Sequence, residues 1–368
     1  MTHRVTLEYD LIKAIGKGTF SQVFEGKRKI DGKIVAIKVV KCQNETHTKI
    51  INKEIYIMKS VSGGNPSIPD LYDYFKEGSY YFIIMEYLEG YVTLLDWVND
   101  LGQSYMYQSY TTQSISHEMT NDLINREKDI ANIFAQIASC VSYLQNMCIF
   151  HRDLKLENIM INPETKNVKL IDFGLATQSD DMKWSTICGS FEYLAPEIIQ
   201  NVKNSKKSNS FTFQSEIWSL GVILYCMTYY KLPFYSQNKF EMFKAITTSH
   251  LKLDDEDLFV SDDLKNLISE MLTKNPQERP YFDQIFNHPF LKDAFNQMSS
   301  LKLRKIGNSF SQNIDFKETY IKKHQSHFAS SLPRSFLCSS LEFHNQLFHH
   351  KKKITGYCSD HISTFPKL

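Results

Sequence analysis

The sequence has no apolar run long enough to cross a membrane. The uncharged stretch Ile217–Tyr230 has the length of a buried helix. It has no disulfide framework to read either. Its seven cysteines are odd in number and scattered without CxxC spacing, which argues against a zinc site and suits a reducing compartment. No apolar signal core opens the chain, and Glu8 and Asp10 sit badly with an import presequence. Net charge is nearly absent as well. With 42 Lys+Arg against 41 Asp+Glu, the total of +1 gives no general reason to expect nucleic acid or an anionic membrane as partner. Internal repeats are absent. What remains is a globular composition, 42% hydrophobic and 13% aromatic, too apolar for a disordered chain. At 368 residues it can fill one large two-lobed unit or two domains without staples.

The small net charge hides an asymmetry. Residues 292–368 hold 12 Lys+Arg and 5 Asp+Glu, a net of +7, which leaves −6 for residues 1–291. The same segment carries six of the twelve His and is rich in Ser. The expected division is a compact body over 9–291 and a basic, Ser/His-rich C-terminal tail over 292–368. Within the body, Val23–Ile30 and Lys33–Val40 are rich in β-branched residues and meet at Asp31-Gly32, a strong hairpin signal. Thr48–Val61 changes to helical spacing, with Ile50, Ile51, Ile55, Met58 and Val61 as its apolar stripe. Leu71–Phe75 and Tyr80–Met85 form a further hairpin. From about Lys128 the pattern is helical, with Ile130, Ile133, Phe134, Ile137, Val141 and Leu144 in one stripe. The polar stretch 102–121 reads as a surface insertion between helices. A small sheet with one helix thus precedes a larger helical lobe.

Four segments carry chemistry. Gly16-Lys17-Gly18-Thr19-Phe20-Ser21 joins two predicted strands, where glycines let backbone N–H groups approach phosphate oxygens. A strand rather than a helix follows, which disfavours a dinucleotide fold. Lys38 in Val35-Ala36-Ile37-Lys38 points to the side opposite Ile37 and Val39, so it can reach phosphates held by that turn. Glu54, in the predicted helix, is the anion that would fix it, unless it is an exposed helix carboxylate pairing with Lys53 or Lys59. His151-Arg152-Asp153-Leu154-Lys155-Leu156-Glu157-Asn158 follows an apolar helix with a spacing that packing does not require. A carboxylate there can accept a hydroxyl proton, a lysine two residues on can neutralise a phosphoryl oxygen, and an Asn carbonyl can ligate Mg²⁺. Asp172 of Ile171-Asp172-Phe173-Gly174 comes fourteen residues later at a strand end, suited to the metal.

With these segments in this order, and with Ala195-Pro196-Glu197 after them, the chain resembles the eukaryotic protein kinase family, serine/threonine type, over about Tyr9 to Leu291. The resemblance implies an α+β, two-lobed protein kinase fold: a small antiparallel β-sheet lobe with one helix, plus a larger, mainly helical lobe. It implies transfer of the γ-phosphate of ATP to Ser/Thr hydroxyls of protein substrates, with Mg²⁺ as cofactor. Lys38 would pair with the α/β-phosphates and Glu54, Asp153 would be the catalytic base, and Lys155 would meet the transferred phosphoryl. Asn158 and Asp172 would hold Mg²⁺. Ile15, Val23, Ala36 and Met160 would sandwich the adenine, while Glu86 and Leu88 would offer it backbone hydrogen bonds. Met58, His151 and Phe173 match positions that stack between the lobes. Thr186 stands where many relatives are phosphorylated by an upstream kinase, with Arg152 as a bidentate partner for the phosphate. Glu197 would pair with Arg279 structurally. No transmembrane segment and no nucleic-acid partner are expected, and the location implied is intracellular: cytoplasm first, nucleus or mitochondrion left open.

The chain also departs from the family pattern. Ser21 replaces the third loop glycine. Thr93 falls about where a ribose-binding acid is common, which implies modest nucleotide affinity. Thr177 replaces a frequent basic residue and leaves a phosphate on Thr186 one partner short. Phe191 stands where Pro is usual. Glu216 replaces the usual Asp, and its extra methylene is expected to strain its reach to the backbone near Arg152. Cys226 replaces an acid that would hold a substrate arginine. None of these changes touches Lys38, Asp153, Asn158 or Asp172, so an active enzyme is the leading reading. The alternative is a non-enzymatic, kinase-like scaffold or regulatory binding protein. A third reading, a small-molecule phosphotransferase, gives no reason for Ala195-Pro196-Glu197, the Thr186 segment or Arg279.

Overall fold

The computed structural model describes residues 4–18, 20–111, 117–178, 189–203, 212–255 and 258–307. The N-terminal lobe is a five-stranded antiparallel sheet in the order β1-β2-β3-β5-β4, made by Tyr9–Lys17 (β1), Ser21–Arg28 (β2), Ile34–Lys41 (β3), Leu71–Glu77 (β4) and Tyr80–Glu86 (β5). The β2–β3 hairpin turns at Gly32, whose φ of +72° suits a residue without a Cβ. Arg28 clamps Asp31 across that turn and, with the Lys33 N–H, holds the Asp31 carboxyl down at about 2.

Register assigns the two faces of the sheet. Val23 pairs with Lys38, Lys38 with Ile83, and Ala36 with Met85, so these five residues share one face. The opposite face, Val35, Ile37, Phe82 and Ile84, joins Phe75, Tyr9 and Val5 in a separate apolar cluster. Val5 lies on a short helix, Arg4–Glu8 (α1), which Arg4 ties to the sheet through Asp73 at 2.7 Å. Gly26 permits this packing: a Cβ there would come within 2.5 Å of Ile37 Cδ1.

Helix Glu45–Val61 (α2) starts at Asn44, whose side chain caps the His47 N–H. It buries Ile51, Glu54, Ile55, Ile57, Met58 and Val61. Ile50, expected in the stripe, is instead 49% exposed, and Ile57 takes the inner position. At 3.6 residues per turn Ile50 and Ile57 share nearly one side of the helix, so what differs is the packing around each turn and not the spacing.

The second lobe is mainly helical. Its framework is Leu94–Thr111 (α3), His117–Asn146 (α4), Pro196–Lys203 (α5), Phe213–Tyr229 (α6), Lys239–Thr248 (α7), Asp262–Met271 (α8), Phe282–Asn287 (α9) and Pro289–Gly307 (α10). The α4 stripe from Ile130 to Leu144 is buried as spaced. Both α3 and α4 extend into 102–121, the stretch read as an insertion. It contains no proline, and its one glycine is Gly102 at its start, so nothing in it breaks a helix; residues 112–116 lie outside the described residues. Helix α6 is buried from Ser215 to Tyr229 on every side, as its uncharged sequence requires. By its packing the chain divides into a compact unit up to Phe295 and a second unit from Asn296, of which only the end of α10 is described. The basic tail beyond residue 307 lies outside the described residues.

Candidate active site

The site begins on the inner face of the sheet. Lys38 Nζ lies 2.5 Å from Glu54 Oε1 and 3.5 Å from Asp172 Oδ1. Glu54 is therefore not an exposed helix carboxylate; it is 6% exposed and faces the strand. Burial opposes the charge on Lys38, but the Glu54 and Asp172 carboxylates outweigh it and hold its pKa above the ordinary value. Burial likewise opposes the charge on Asp172, and there Lys38 and the Gly174 N–H prevail and hold the pKa down. Both ionised forms are thus maintained by each other.

The loop after strand Ile149–Phe150 (β6) carries the second group. His151 lies edge-on to Phe173, with ring centroids 5.2 Å apart, and its Nε2 meets the Ile171 carbonyl at 3.1 Å. Burial lowers the His151 pKa, so a neutral ring donating from Nε2 fits this position. Arg152 adopts φ +69°, a left-handed conformation costly for a side-chain-bearing residue. The device that holds it is Glu216. Its Oε1 accepts the N–H groups of both His151, at 2.6 Å, and Arg152, at 3.1 Å. The reach expected to be strained is made with normal hydrogen bonds, so that expectation is corrected: α6 presents the longer side chain at a distance that suits it.

Asp153 is held from two sides. Asn158 Nδ2 donates to its carbonyl at 2.8 Å and to Oδ2 at 2.9 Å, and Lys155 Nζ lies 3.1 Å from the same Oδ2. Ser190 donates from both N and Oγ to Oδ1, at 3.0 and 3.1 Å, and its Oγ accepts from Lys155 at 2.9 Å. A hydroxyl group therefore already bridges the carboxylate and the lysine. Gly189 makes this approach possible: with φ +91°, a Cβ there would meet the Arg152 carbonyl at 2.6 Å. Asn158 also connects onward, because its carbonyl accepts the Ile171 N–H at 2.8 Å, next to Asp172. Asp153 and Asn158 thus form one hydrogen-bonded pair, Lys38, Glu54 and Asp172 another group, and the Ile171–Asn158 backbone bond sets the two side by side.

The positions expected around adenine are distributed over both lobes. Ala36 is buried; Val23, Met160, Glu86 and Leu88 are half-buried; Ile15 is exposed on β1. The Glu86 N–H is committed to the Asp70 carbonyl at 2.9 Å, so what Glu86 can offer a purine is its carbonyl. Its side chain is pinned by Lys169 at 2.6 Å and by the Asp70 N–H, an anchor that sequence reading missed because Lys169 lies on a separate strand, Val168–Leu170 (β7). In the glycine-rich turn the Gly18 N–H bonds the Ser21 carbonyl, and a Cβ on Gly18 would come within 2.8 Å of Ser21 Oγ. Gly16 and Lys17 end β1, and Phe20 is exposed; Thr19 lies outside the described residues.

The remaining expected residues divide. Arg279, 1% exposed, forks onto both Glu197 oxygens at 2.8 and 2.7 Å and donates to the carbonyls of Thr273, Gln214 and Lys274. Thr186 lies outside the described residues. At Thr177, where a base is frequent in the family pattern, Lys53 on α2 donates to Oγ1 at 2.8 Å. Thr93 has a local role, because its Oγ1 caps the Asp96 N–H at the start of α3 and donates to the Asp96 carboxylate. Cys226 is fully buried, and burial raises its thiol pKa well above the ordinary value.

Comparison with known proteins covers the same segment. The family model for the protein kinase domain matches residues 9–291. Among curated relatives, CBL-interacting protein kinase 20 of Oryza sativa subsp. japonica is 29% identical over 301 residues, 78% of this chain and 58% of that protein. Serine/threonine-protein kinase PLK4 of Aedes aegypti is 27% identical over 292 residues, 78% of this chain and 34% of that protein. The Drosophila persimilis protein of the same name is 27% identical over 318 residues, 83% and 36%. The chain thus spans between about a third and three-fifths of the length of these relatives. Since the match begins at β1 and ends just inside α10, taking in both lobes and every group placed around Asp153 and Lys38, this chain belongs to the protein kinase family.

Proposed function

We propose that the chain transfers the γ-phosphate of ATP to Ser or Thr hydroxyls of protein substrates. The observation that carries this reading is the seat of Ser190 Oγ, hydrogen-bonded at once to Asp153 Oδ1 and Lys155 Nζ. An incoming aliphatic hydroxyl beside it would find Asp153 as proton acceptor and Lys155 as counter-charge for the phosphoryl oxygens. Lys38, kept charged by Glu54, is the cation for the other phosphates. The donor set fits Mg²⁺ bound together with phosphates: Asn158 spends its Nδ2 on Asp153, which leaves Oδ1, and Asp172 adds a carboxylate. Among the described residues no group of three or more His, Cys, Asp or Glu forms a self-sufficient metal cage, and Mg²⁺ on substrate phosphates needs only one or two protein oxygens. When bound there, the ion would neutralise phosphate charge.

Protein substrates, an upstream kinase acting on Thr186, and an intracellular, cytoplasmic setting belong to the same proposal. Cys42 and Cys226 are in no disulfide, which suits such a setting, and among the described residues no helix is long and apolar enough to cross a membrane. Arg152 beside Asp153 supports the Thr186 reading. The test is incubation of purified full chain with Mg-ATP and generic protein substrates, followed by phosphoamino-acid analysis. Phosphoserine and phosphothreonine that vanish in Asp153→Asn support the proposal. No transfer, with nucleotide still bound, favours the scaffold reading, and mostly phosphotyrosine overturns the specificity.

A further inference from the structure

Immediately after Ser190, the chain turns Phe191 toward helix α7. The ring is half-buried and meets Phe243 edge-on, with centroids 5.7 Å apart. Lys239, the first residue of α7, places its Nζ 3.6 Å from the Phe191 centroid and 5.6 Å from that of Phe243. A cation at the first position of a helix gains nothing from the helix dipole, so local helix energetics do not explain the residue. The ring faces do explain where its ammonium rests. The side chain is exposed, and among the described residues no carboxylate comes within ion-pair distance of it. Glu241, two residues on, lies on another side of the helix.

The acceptor hydroxyl must arrive at Asp153 and Lys155, where Ser190 already sits. An extended substrate advances about 3.3 Å per residue, so the side chains one or two places from the acceptor pass over the residue that follows Ser190. We infer that Lys239, seated on Phe191, selects protein substrates with a carboxylate one or two residues from the acceptor Ser or Thr, on the Phe191 side. This rests on Asp153 as the acceptor position, and it assigns a substrate class to that site: acidic-flanked Ser/Thr segments. A lysine or arginine at the same place would meet like charge, while an apolar side chain would have to displace the ammonium from the ring. The pair would be exposed, so its effect is modest: about fivefold between Glu and Ala, corresponding to about 1 kcal/mol.

The experiment uses the full chain and fluorescein-labelled peptides with one Ser in an alanine background, carrying Glu, Lys or Ala at each of the two positions on either side. Binding is read by anisotropy without nucleotide, and transfer is read separately with Mg-ATP. The expected result is tightest binding with Glu on one side only. That preference should fall to about unity in Lys239→Ala and invert toward Lys in Lys239→Glu. A merely structural lysine would not produce the inversion. If wild type binds Lys peptides as well as Glu peptides at every position, or if Lys239→Glu keeps the wild-type order, the inference is wrong. Charge-swapped binding without transfer would support it while overturning the kinase reading.

Discussion

Replacing Glu216 by Gln isolates the buried carboxyl that holds the His151–Arg152 backbone. Glu216 is 1% exposed; Oε1 takes two backbone N–H groups, and Oε2 has no hydrogen-bond partner among the described residues. Burial pushes its pKa from 4.5 up to about 7, although the Arg152 and His151 N–H groups pull the other way. An acid whose folded pKa lies above its unfolded value binds more protons in the folded state. It therefore costs nothing below about pH 4, and it destabilises the fold progressively as pH rises toward 7. The gap of about 2.5 pH units is worth about 3 kcal/mol in all, of which about 2 kcal/mol accrues between pH 5 and 7. Glutamine keeps the Oε1 acceptor and mimics the protonated carboxyl. Glu216→Gln should match wild type near pH 5 and exceed it by about 2 kcal/mol near pH 7.5, several degrees in Tm. His151, whose pKa burial lowers, gives an opposite slope in both proteins and cancels in the difference. Urea midpoints at pH 5, 6, 7 and 8 provide the measurement. Parallel profiles for the two proteins would refute the account, because they would mean that Glu216 stays ionised throughout. Glu216→Ala should behave differently, losing stability at every pH, because two buried N–H groups and a left-handed Arg152 would be left unsupported.

Lys38→Met, Asp153→Asn and Asp172→Asn should each lower phosphate transfer by about a hundredfold or more while circular dichroism stays that of wild type; near wild-type transfer by either Asp variant would remove its role. Arg279→Ala strands Glu197 and three backbone carbonyls in the interior and should cost about 3–5 kcal/mol by denaturant midpoint. Arg279→Lys should recover part of that loss, since it restores the charge without the fork. Ser190→Ala should lower kcat while leaving the KM for ATP unchanged, and Ser190→Thr should restore it; equal kcat for all three would mean that the hydroxyl bridge does not matter.

Much of the architecture was legible in the residues because it is written locally. Asp31-Gly32 between β-branched runs gives a hairpin wherever it occurs, and the α4 stripe sets its buried face by spacing alone. Lys38, Asp153, Asn158 and Asp172 stood out for a different reason: packing supplies no cause for polar groups where they stand in the sequence, and the structure pairs Lys38 with Asp172 and Asn158 with Asp153. The misses are also physical. Ile50 and Ile57 lie seven residues apart on nearly the same helical face, so spacing alone does not tell that Ile50, nearer the start of α2, is exposed while Ile57 is buried. The polar stretch 102–121 reads as an insertion, and outside 112–116 its described residues belong to α3 and α4, a helical continuation that its polarity does not signal.

The departures from the family pattern were the least legible, because what each residue does depends on a partner that the pattern does not name. Thr177 lacks the base expected at its position, and Lys53, more than a hundred residues earlier on α2, occupies its hydroxyl. The substitution thereby ties the strand after Asp172 to the helix that carries Glu54, so two parts of the site are coupled by a bond that the more frequent basic residue would not require. Glu216 carries one methylene more than expected and still satisfies two N–H groups, and its added burial sets the pH dependence described above. Thr93, counted against nucleotide affinity, begins α3 through Asp96. In each case a single position read against a pattern suggests a defect, whereas the free energy belongs to a pair. Thr177 and Lys53, more than a hundred residues apart, leave no periodicity or spacing in the sequence by which to find them.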